Sequence, residues 1–274
     1  MSASPFSIIT PSFNVRSLLL HCLASVAAQE CREFEHIVVD GASTDGTVEV
    51  LSSWAGHPVR WVSEPDSGQS QALNKGFALA RGDVIGWLNA DDLYEPWTVQ
   101  RVLHHFDACE GLEVLYGLAI VIDAEGNFVR LAPQPRPNIT DLYQYTNFLH
   151  QPAVFFRRSV VERFGGIDET LEYAMDYDFW LRIGRHVRAK FVPEVLARIR
   201  FRPGAKMDDP GWRTHYRASR RLYLKHGGRR FSPMLVERAL NRCVEHPIFT
   251  MSWPLRKLLW KLMRVPWGQP LRMR

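Results

Sequence analysis

The sequence predicts an α/β fold in which a mostly parallel sheet carries helices on both of its faces. Short apolar segments rich in β-branched residues alternate with segments of helical spacing through the first 130 residues. The connections between these segments are short, as in sheets that are covered on both faces. Apolar residues form 46% of the 274 residues, which is an ordinary share for a protein with a full-sized core.

The first strand is predicted at "SIITPSF", a β-branched and aromatic run that stops at Pro11 and Asn14 and enters a loop. The segment "SLLLHCLASVAAQ" follows with helical spacing, and "EHIVVD" forms a second strand that ends on Asp40. The turn "GASTDGT" then offers the helix "VEVLSSWA" an N-cap at Ser43, Thr44 or Asp45.

The same alternation continues to about residue 123. "VRWVSE" and "VIGWLNADD" are the third and fourth strands, and "QSQALNKGFALA" is the helix between them. "WTVQRVLHHFDAC" is again helical, and "EVLYGLAIVID" begins a further strand region. Ligands of parallel sheets bind beyond the carboxyl ends of the strands. The sequence therefore predicts a binding site formed by the polar strand ends 10–14, 40, 64–66 and 89–92.

Three prolines within "LAPQPRPNI" interrupt regular structure and mark a boundary near residue 130. We expect residues 1–130 and 131–205 to form two halves of one catalytic unit, with 206–274 as a basic helical C-terminal extension. Residues 198–274 hold 19 Lys/Arg and 4 Asp/Glu. The first 197 residues hold 15 Lys/Arg and 25 Asp/Glu. A basic segment of this kind suits an anionic surface, whether membrane, nucleic acid or phosphate-bearing substrate.

Cysteine usage and apolar runs predict a cytoplasmic protein. The four cysteines form no CxxC pair, so neither a disulfide framework nor a zinc site is expected, and a reduced compartment fits. The start "MSASPFSIITPSF" lacks a basic segment followed by a long apolar run, so no signal peptide is expected. No run of 18 apolar residues predicts a membrane-spanning helix.

Two acidic clusters are candidates for chemistry. In "LNADD", Asn89 and Asp91 alternate along a predicted strand end with Asp92 opposite, and such oxygen ligands suit Mg²⁺ or Mn²⁺. An Asx turn in which Asp92 caps the next helix remains open. In "EYAMDYDFWLRIG", Asp176 and Asp178 are either solvated acids of a helix N-terminus or carboxylates kept for proton transfer.

No glycine-rich phosphate loop accompanies these clusters. "DGASTDGT" matches neither GxGxxG nor Walker A, which disfavours a dehydrogenase or a P-loop enzyme. Asp40, at the end of the second strand, is either an acceptor for a ribose or base or simply a turn former.

The segments "SIITPSFN", "EHIVVDGASTDGT", "SEPDSGQSQALNKGFALARGDVIGWLNADD" and "MDYDFWLRIG" occur in the order and spacing of a family 2 glycosyltransferase. Over about residues 5 to 205 the chain resembles this family, which implies the Rossmann-like GT-A fold of nucleotide-diphospho-sugar transferases. The resemblance implies inverting transfer of a sugar from a nucleotide-diphospho-sugar to the hydroxyl of a saccharide or lipid-linked saccharide. We expect the product to be a cell-surface polysaccharide or a lipid-linked oligosaccharide.

The same resemblance implies residue roles. "NAD" at 89–91 stands where the family has its DxD motif, so Asp91 is the expected Mg²⁺ or Mn²⁺ ligand and Asn89 replaces the usual first aspartate. Residues 1–130 would bind the donor. The donor-binding residues implied are Thr10, Pro11, Ser12, Phe13, Asn14, Asp40, Gly41, Asp45, Asp66, Asn74, Lys75, Asn89, Ala90 and Asp92.

Residues 131–205 would bind the acceptor and supply the general base. Asp176 matches the family's base, and Asp178 is the second candidate because Met175 stands where glutamate is common. Arg202 stands where relatives often have histidine, so a phosphate contact is expected there. His150 and Gln151 could contact the acceptor, and Trp180 is either a core residue or a platform on which a sugar stacks. Trp87 lies inside a strand pattern and is expected in the core.

The tail "WPLRKLLWKLMRVPWGQPLRMR" (253–274) holds Trp253, Trp260 and Trp267 among six basic residues and no acid. This composition predicts a helix lying on an anionic membrane surface, which would make the protein peripheral on the cytoplasmic face. The alternative is a C-terminal helix that packs on the core with snorkelling Lys and Arg. No nucleic acid partner is expected.

Two rival functions remain open. A sugar-1-phosphate nucleotidyltransferase uses a related fold but would carry a glycine-rich N-terminal signature with Arg and Lys, which this chain lacks. A non-catalytic adaptor that binds membrane or nucleic acid is favoured by one feature, Asn89 in place of an aspartate.

Overall fold

The computed structural model describes residues 5–145, 147–202 and 211–228. In this part of the chain nine strands form one sheet with seven α-helices packed around it. The strands are β1 (Phe6–Ser12), β2 (Phe34–Asp40), β3 (Val59–Ser63), β4 (Val84–Trp87), β5 (Leu93–Tyr94), β6 (Val114–Ile122), β7 (Phe128–Leu131), β8 (Val154–Arg157) and β9 (Ala189–Arg200). The helices are α1 (Arg16–Ala27), α2 (Thr47–Ser53), α3 (Gln69–Leu79), α4 (Thr98–Ala108), α5 (Arg158–Phe164), α6 (Met175–Ile183) and α7 (Gly211–Lys225).

The α/β fold class predicted from the sequence is confirmed. The sheet order is β3-β2-β1-β4-β8-β6-β9-β5, with β7 paired to β6. Strands β1 to β4 are mutually parallel and correspond to the strand–helix alternation that the sequence shows. Beyond β4 the sheet is mixed. Strand β8 is antiparallel to both β4 and β6, β5 is antiparallel to β9, and β7 is antiparallel to β6. Strands β6 and β9 are parallel. The carboxyl ends of β1, β2 and β4 therefore meet at one edge.

The sheet continues across the boundary expected near residue 130. Strand β6 precedes the proline-rich segment, yet it pairs with β8 and β9, which follow it. That segment is held on the sheet by Tyr116, whose hydroxyl donates to the carbonyls of Arg136 and Pro137 at 2.9 and 2.8 Å. The segments on the two sides of this boundary therefore belong to a single sheet.

Strand β1 includes Pro11 and ends at Ser12, between the two predicted stop signals Pro11 and Asn14. Ile9 O accepts the N–H of Leu88, so Ile9 faces β4, and Pro11, two residues on, faces the same side. Because β4 ends at Trp87, that side of the sheet has no ladder partner for Pro11, and its missing N–H breaks no hydrogen bond.

Helix α3 packs directly on β1 and β2. A Cβ added to Gly76 would lie 2.2 Å from Ile9 Cγ2, so only glycine allows this approach of helix to strand. The contact brings the N-terminus of α3 to the same edge as the ends of β1, β2 and β4. Trp87 is 2% exposed, as expected for a core residue.

The C-terminal extension is helical where the structure describes it, as α7 shows. The tail 253–274 lies outside the described residues. Among the described helices none is long and apolar enough to cross a membrane.

Candidate active site

The loops that follow β1 and β2 are joined to each other at the carboxyl edge of the sheet. The N–H of Asn14 donates to Ser43 Oγ at 2.8 Å. Asn14 Oδ1 accepts the backbone N–H of the residue after Ser43 at 2.9 Å. Asn14 has φ 50°, a left-handed conformation that asparagine adopts more readily than most residues. Thr10 and Ser12 are buried, whereas Phe13 is 61% exposed. Phe13 is therefore a large apolar side chain that this loop exposes at the sheet edge.

Asp40 organises the loop instead of presenting a free carboxylate. It is fully buried, and it accepts hydrogen bonds from Ser43 N–H at 2.9 Å, from Ser43 Oγ, and from Ser63 Oγ at 2.7 Å. These contacts match the turn-former alternative. Asp45 has a comparable role at α2, because it accepts from the N–H and hydroxyl of Thr47 and from the N–H of Arg16.

Three strand ends meet at Gly41. A Cβ added there would lie 2.9 Å from Asp66 Oδ2 and 3.2 Å from Phe13 Cδ2, so a larger residue would displace these side chains. Asp66 is half-buried, and its other oxygen accepts the N–H of Gly68 at 2.8 Å. Phe13, Gly41 and Asp66 thus form a surface with one aromatic ring and one carboxylate.

The two α3 residues expected beside the donor face different surroundings. Asn74 donates to Ile167 O and Glu169 Oε1 and accepts Ile167 N–H, all within 2.9 Å. Its amide therefore joins α3 to the loop before α6. Lys75 pairs with Glu64 at 2.8 Å, at the end of β3.

Residues 88–92 form a turn, because β4 ends at Trp87 and the N–H of Asp92 donates to Asn89 O at 3.0 Å. The expected strand alternation of Asn89 and Asp91 is therefore wrong, and Asp92 caps no helix. Asp92 is 4% exposed and accepts from Arg200 N–H and Asn89 Nδ2. Ala90 is buried against α1 and α2.

Asp91 is the carboxylate of this turn that remains accessible, with 27% of its side chain exposed. Its backbone oxygen accepts Arg200 Nε at 3.0 Å, and its Oδ2 lies 3.7 Å from Arg202 Nε. Burial raises the pKa of Asp91 although Arg202 acts in the opposite direction. Burial and the neighbouring Asp91 charge hold the pKa of Asp92 well above its usual range.

Two adjacent carboxylates with raised pKa values favour a cation. Among the described residues no three His, Cys, Asp or Glu side chains group into a complete metal site. A cation at Asp91 would therefore need most of its ligands from a substrate, which is how Mg²⁺ is commonly held. The residues present fit such a shared site.

Asp176 and Asp178 lie in the first turn of α6 in contrasting environments. Asp176 is half-buried and accepts Asn147 Nδ2 at 2.9 Å. Asp178, whose side chain is 1% exposed, contacts Arg182 Nε and His226 Nε2, both at 2.8 Å. The residue before the helix, Ala174, has φ 57°, a strained conformation for alanine.

The acceptor-side residues are used mostly for structure. Trp180 is fully buried, 5.1 Å from Phe179 and 5.9 Å from Phe156 between ring centroids. The sugar-platform alternative is therefore wrong for Trp180, and the core alternative is confirmed. His150 Nε2 donates to Pro133 O at 2.6 Å, and burial lowers its pKa. Gln151 Oε1 accepts Asn89 Nδ2 at 2.8 Å.

Sequence reasoning missed Asn147, Gln69 and the serines that hold Asp40. Asn147 lies 29 residues before Asp176, and Gln69 lies 20 before its partner Asn89. No local pattern marks either contact. The sequence predicts Ser43 only as a candidate helix cap, although serine close to an acidic strand end is also a common turn residue.

Comparisons with known proteins agree on the fold and the family. The sequence profile described as "Glycosyl transferase family 2" matches residues 7–165. A protein of Mycobacterium bovis (strain BCG / Pasteur 1173P2) named "PGL/p-HBAD biosynthesis glycosyltransferase" is 34% identical over 186 residues, which are 66% of this chain and 70% of that protein.

Two solved structures share the fold. S. aureus TarS 1-349 in complex with UDP-GlcNAc aligns with a TM-score of 0.64 and 20% identity, over 81% of this chain and 66% of that one. A mannosyltransferase from Pyrobaculum calidifontis in complex with GDP-Man and Mn²⁺ aligns with a TM-score of 0.62 and 20% identity, over 95% of this chain and 80% of that one. With the profile and the mycobacterial relative, these findings show that the chain belongs to glycosyltransferase family 2.

Proposed function

We propose that this glycosyltransferase moves a sugar from a nucleotide-diphospho-sugar to a hydroxyl of a saccharide or lipid-linked saccharide, with inversion. The observation that carries the proposal is the contrast between two accessible carboxylates. Asp91 lies beside Arg202 at the sheet edge, whereas Asp176 contacts an amide and makes no ion pair within the described part of the chain. One carboxylate suits the diphosphate side and the other suits proton transfer.

The donor base would lie on the surface formed by Phe13, Gly41 and Asp66. An exposed aromatic ring stacks on a planar base, and a carboxylate accepts hydrogen bonds from ring N–H or amino groups. Glycine at position 41 leaves the space that a Cβ would fill. In this arrangement Asp40 acts indirectly, because it fixes the loop that starts at Gly41.

Asp91 would hold Mg²⁺ or Mn²⁺ together with the diphosphate oxygens. The cation supplies charge neutralisation of the leaving group when bound. Arg202 adds a positive charge beside Asp91, and its Nε has no hydrogen-bond partner in the described part of the chain. A phosphate oxygen is the partner that we propose for this guanidinium.

Asp176 would remove the proton of the acceptor hydroxyl as that oxygen attacks the anomeric carbon. Asn147 would orient the carboxylate through Oδ2, and Oδ1, which has no partner in the described part of the chain, would accept the proton of the hydroxyl. Attack opposite to the departing diphosphate inverts the anomeric carbon in one step. Because Asp178 is buried and already contacts Arg182 and His226, we assign it no proton-transfer role.

The named relatives support this substrate class. The S. aureus structure holds UDP-GlcNAc, and the Pyrobaculum structure holds GDP-Man and Mn²⁺. The mycobacterial relative is named for PGL/p-HBAD biosynthesis. We extend to this chain a nucleotide-sugar donor, a divalent cation, and an acceptor destined for a glycolipid or polysaccharide.

The experiment is a panel of UDP- and GDP-sugars scored by thermal shift and by slow donor hydrolysis, with Mn²⁺ and with EDTA. We expect one donor to raise Tm and to be hydrolysed only with Mn²⁺. A chain that binds no nucleotide sugar under either condition contradicts the proposal and favours a non-catalytic adaptor.

A further inference from the structure

The side chain of Asn89 is a junction between four parts of the site. Asn89 Oδ1 accepts Trp87 Nε1 and Gln69 Nε2, both at 2.8 Å. Asn89 Nδ2 donates to Gln151 Oε1 at 2.8 Å and to Asp92 Oδ2 at 3.3 Å. All hydrogen-bonding positions of this amide are therefore used by protein groups.

The chemistry of these partners requires an amide. Two partners donate and two accept, and a carboxylamide of this length offers two acceptor positions and two donor hydrogens. An aspartate at position 89 would offer acceptors alone. It would face the oxygens of Asp92 and Gln151 with no hydrogen to share, so the two contacts would become repulsive.

The junction links the donor side of the site to its acceptor side. Gln69 begins α3, Trp87 ends β4, and Asp92 closes the turn that carries Asp91. Gln151 belongs to the short 3₁₀ helix Gln151–Ala153 that leads into β8, and its Nε2 also donates to the Trp87 carbonyl. The position of Asp91 is thus set relative to the acceptor-side segment through one amide.

We propose that Asn89 is a positioning residue that fixes the Asp91 turn against Gln151, and that it does not bind the cation. A cation at Oδ1 would have to displace two hydrogen bonds from Trp87 and Gln69. The proposal rests on the proposed function only for the role of Asp91. It reverses the simple expectation that Asn89→Asp restores a metal ligand.

The test compares Asn89→Asp with the matched control Asn127→Asp. Asn127 is exposed, and its Nδ2 also donates to a carboxylate, Asp123 Oδ2 at 3.1 Å. The measurements are Tm by calorimetry and the Mn²⁺-dependent affinity for UDP and GDP by titration, without acceptor. We expect Asn89→Asp to lower Tm by about 5 °C and Asn127→Asp to leave it within about 1 °C.

We also expect the Mn²⁺-dependent nucleotide affinity of Asn89→Asp to fall at least about tenfold, because the Asp91 turn loses its anchor. If Asn89 is a ligand, the substitution tightens that affinity instead, and such a result overturns the proposal whatever the Tm. A Tm for Asn89→Asp equal to that of Asn127→Asp also overturns it. The Tm comparison keeps its meaning even if the wild type binds neither nucleotide, an outcome that contradicts only the proposed function.

A second variant covers the case in which Asn89→Asp does not fold. Gln151→Glu keeps the acceptor for Asn89 Nδ2 but replaces the hydrogen bond to the Trp87 carbonyl by repulsion. The proposal predicts weaker Mn²⁺-dependent nucleotide affinity for this variant, although Gln151 lies on the acceptor side. Unchanged nucleotide affinity in folded Gln151→Glu would refute the junction.

Discussion

Two aspartates that are two residues apart in α6 differ completely in their surroundings. Asp176 has one neutral partner, Asn147, whereas Asp178 contacts Arg182, His226 and, at 3.7 Å, Lys225. A base must be able to reach the proton of the substrate, and a buried carboxylate whose oxygens already contact Arg182 and His226 is poorly placed for that task. The two candidates that the sequence left together therefore have different surroundings in the structure.

Asp176→Asn tests the proton-transfer role at this scale. We expect the nucleotide-sugar affinity to stay at the wild-type value and turnover to fall by roughly 10²-fold or more, because the amide cannot take the proton. The measurement is steady-state transfer beside donor titration. An active Asp176→Asn enzyme, together with a folded but inactive Asp178→Asn enzyme, would reverse the assignment.

Sequence patterns predicted individual residues well where a local pattern decides their place. Trp87 lies inside a β-strand pattern and is buried, and Asp91 lies in the accessible part of its turn. The hydrogen bonds of Asn89 to Gln69 and of Asn74 to Glu169 were not predicted, because these partners are 20 and 95 residues away along the chain. Hydrogen bonds across such separations depend on sheet order, which a local pattern does not contain.

At the scale of elements, α7 is attached to the helix that carries Asp176. His226, just after α7, and Lys225, its last residue, both contact Asp178 in α6. Leu222 and Tyr223 of α7 are buried in the same apolar cluster as residues of α6. The described start of the C-terminal extension therefore packs on α6, the helix that carries Asp176.

His226→Ala should loosen this attachment. Removing the imidazole leaves Asp178 with one close partner, Arg182, so we expect faster amide hydrogen exchange in α7 and a Tm lower by about 4 °C. His104→Ala, at an exposed histidine of α4, is the control. Unchanged exchange in α7 would show that the apolar contacts alone hold the helix.

The elements themselves were largely predictable, but their pairing was not. Helical spacing and β-branched runs located β1 to β3 and α1 to α4 within a few residues. The direction of β8 and the parallel pairing of β6 with β9 depend on connections that pass through irregular segments. Strand β1 includes Pro11 because a proline is tolerated where the neighbouring strand has already ended.

At the scale of the whole molecule, charge is divided along the sequence. Residues 198–274 are strongly basic and the preceding 197 residues are acidic on balance. In α7, the exposed side chains Arg217, Arg220 and Arg221 continue this basic character into the described structure. The predicted membrane role of 253–274 stays a prediction.

Deleting residues 253–274 tests that role. The truncated enzyme should remain folded and still hydrolyse its donor, because every proposed site residue is retained. Each basic residue near an anionic leaflet contributes about 1 kcal/mol, so binding to anionic vesicles should fall sharply. High salt should release the intact protein only in part, because burial of the tryptophans and leucines is not screened. If the truncation unfolds the protein, or the full chain ignores such vesicles, the tail packs on the core.

The central claim is that Asp91 recruits a divalent cation to a nucleotide diphosphate, and one titration tests it most directly. The Mn²⁺-dependent affinity of Asp91→Ala for UDP and GDP is compared with that of the wild type and of Asp107→Ala, an exposed aspartate of α4. We predict that the difference in affinity between Mn²⁺ and EDTA disappears in Asp91→Ala and persists in Asp107→Ala, because Asp91 is the accessible carboxylate of its turn. An Asp91→Ala protein that folds and keeps the full Mn²⁺ dependence would contradict the account.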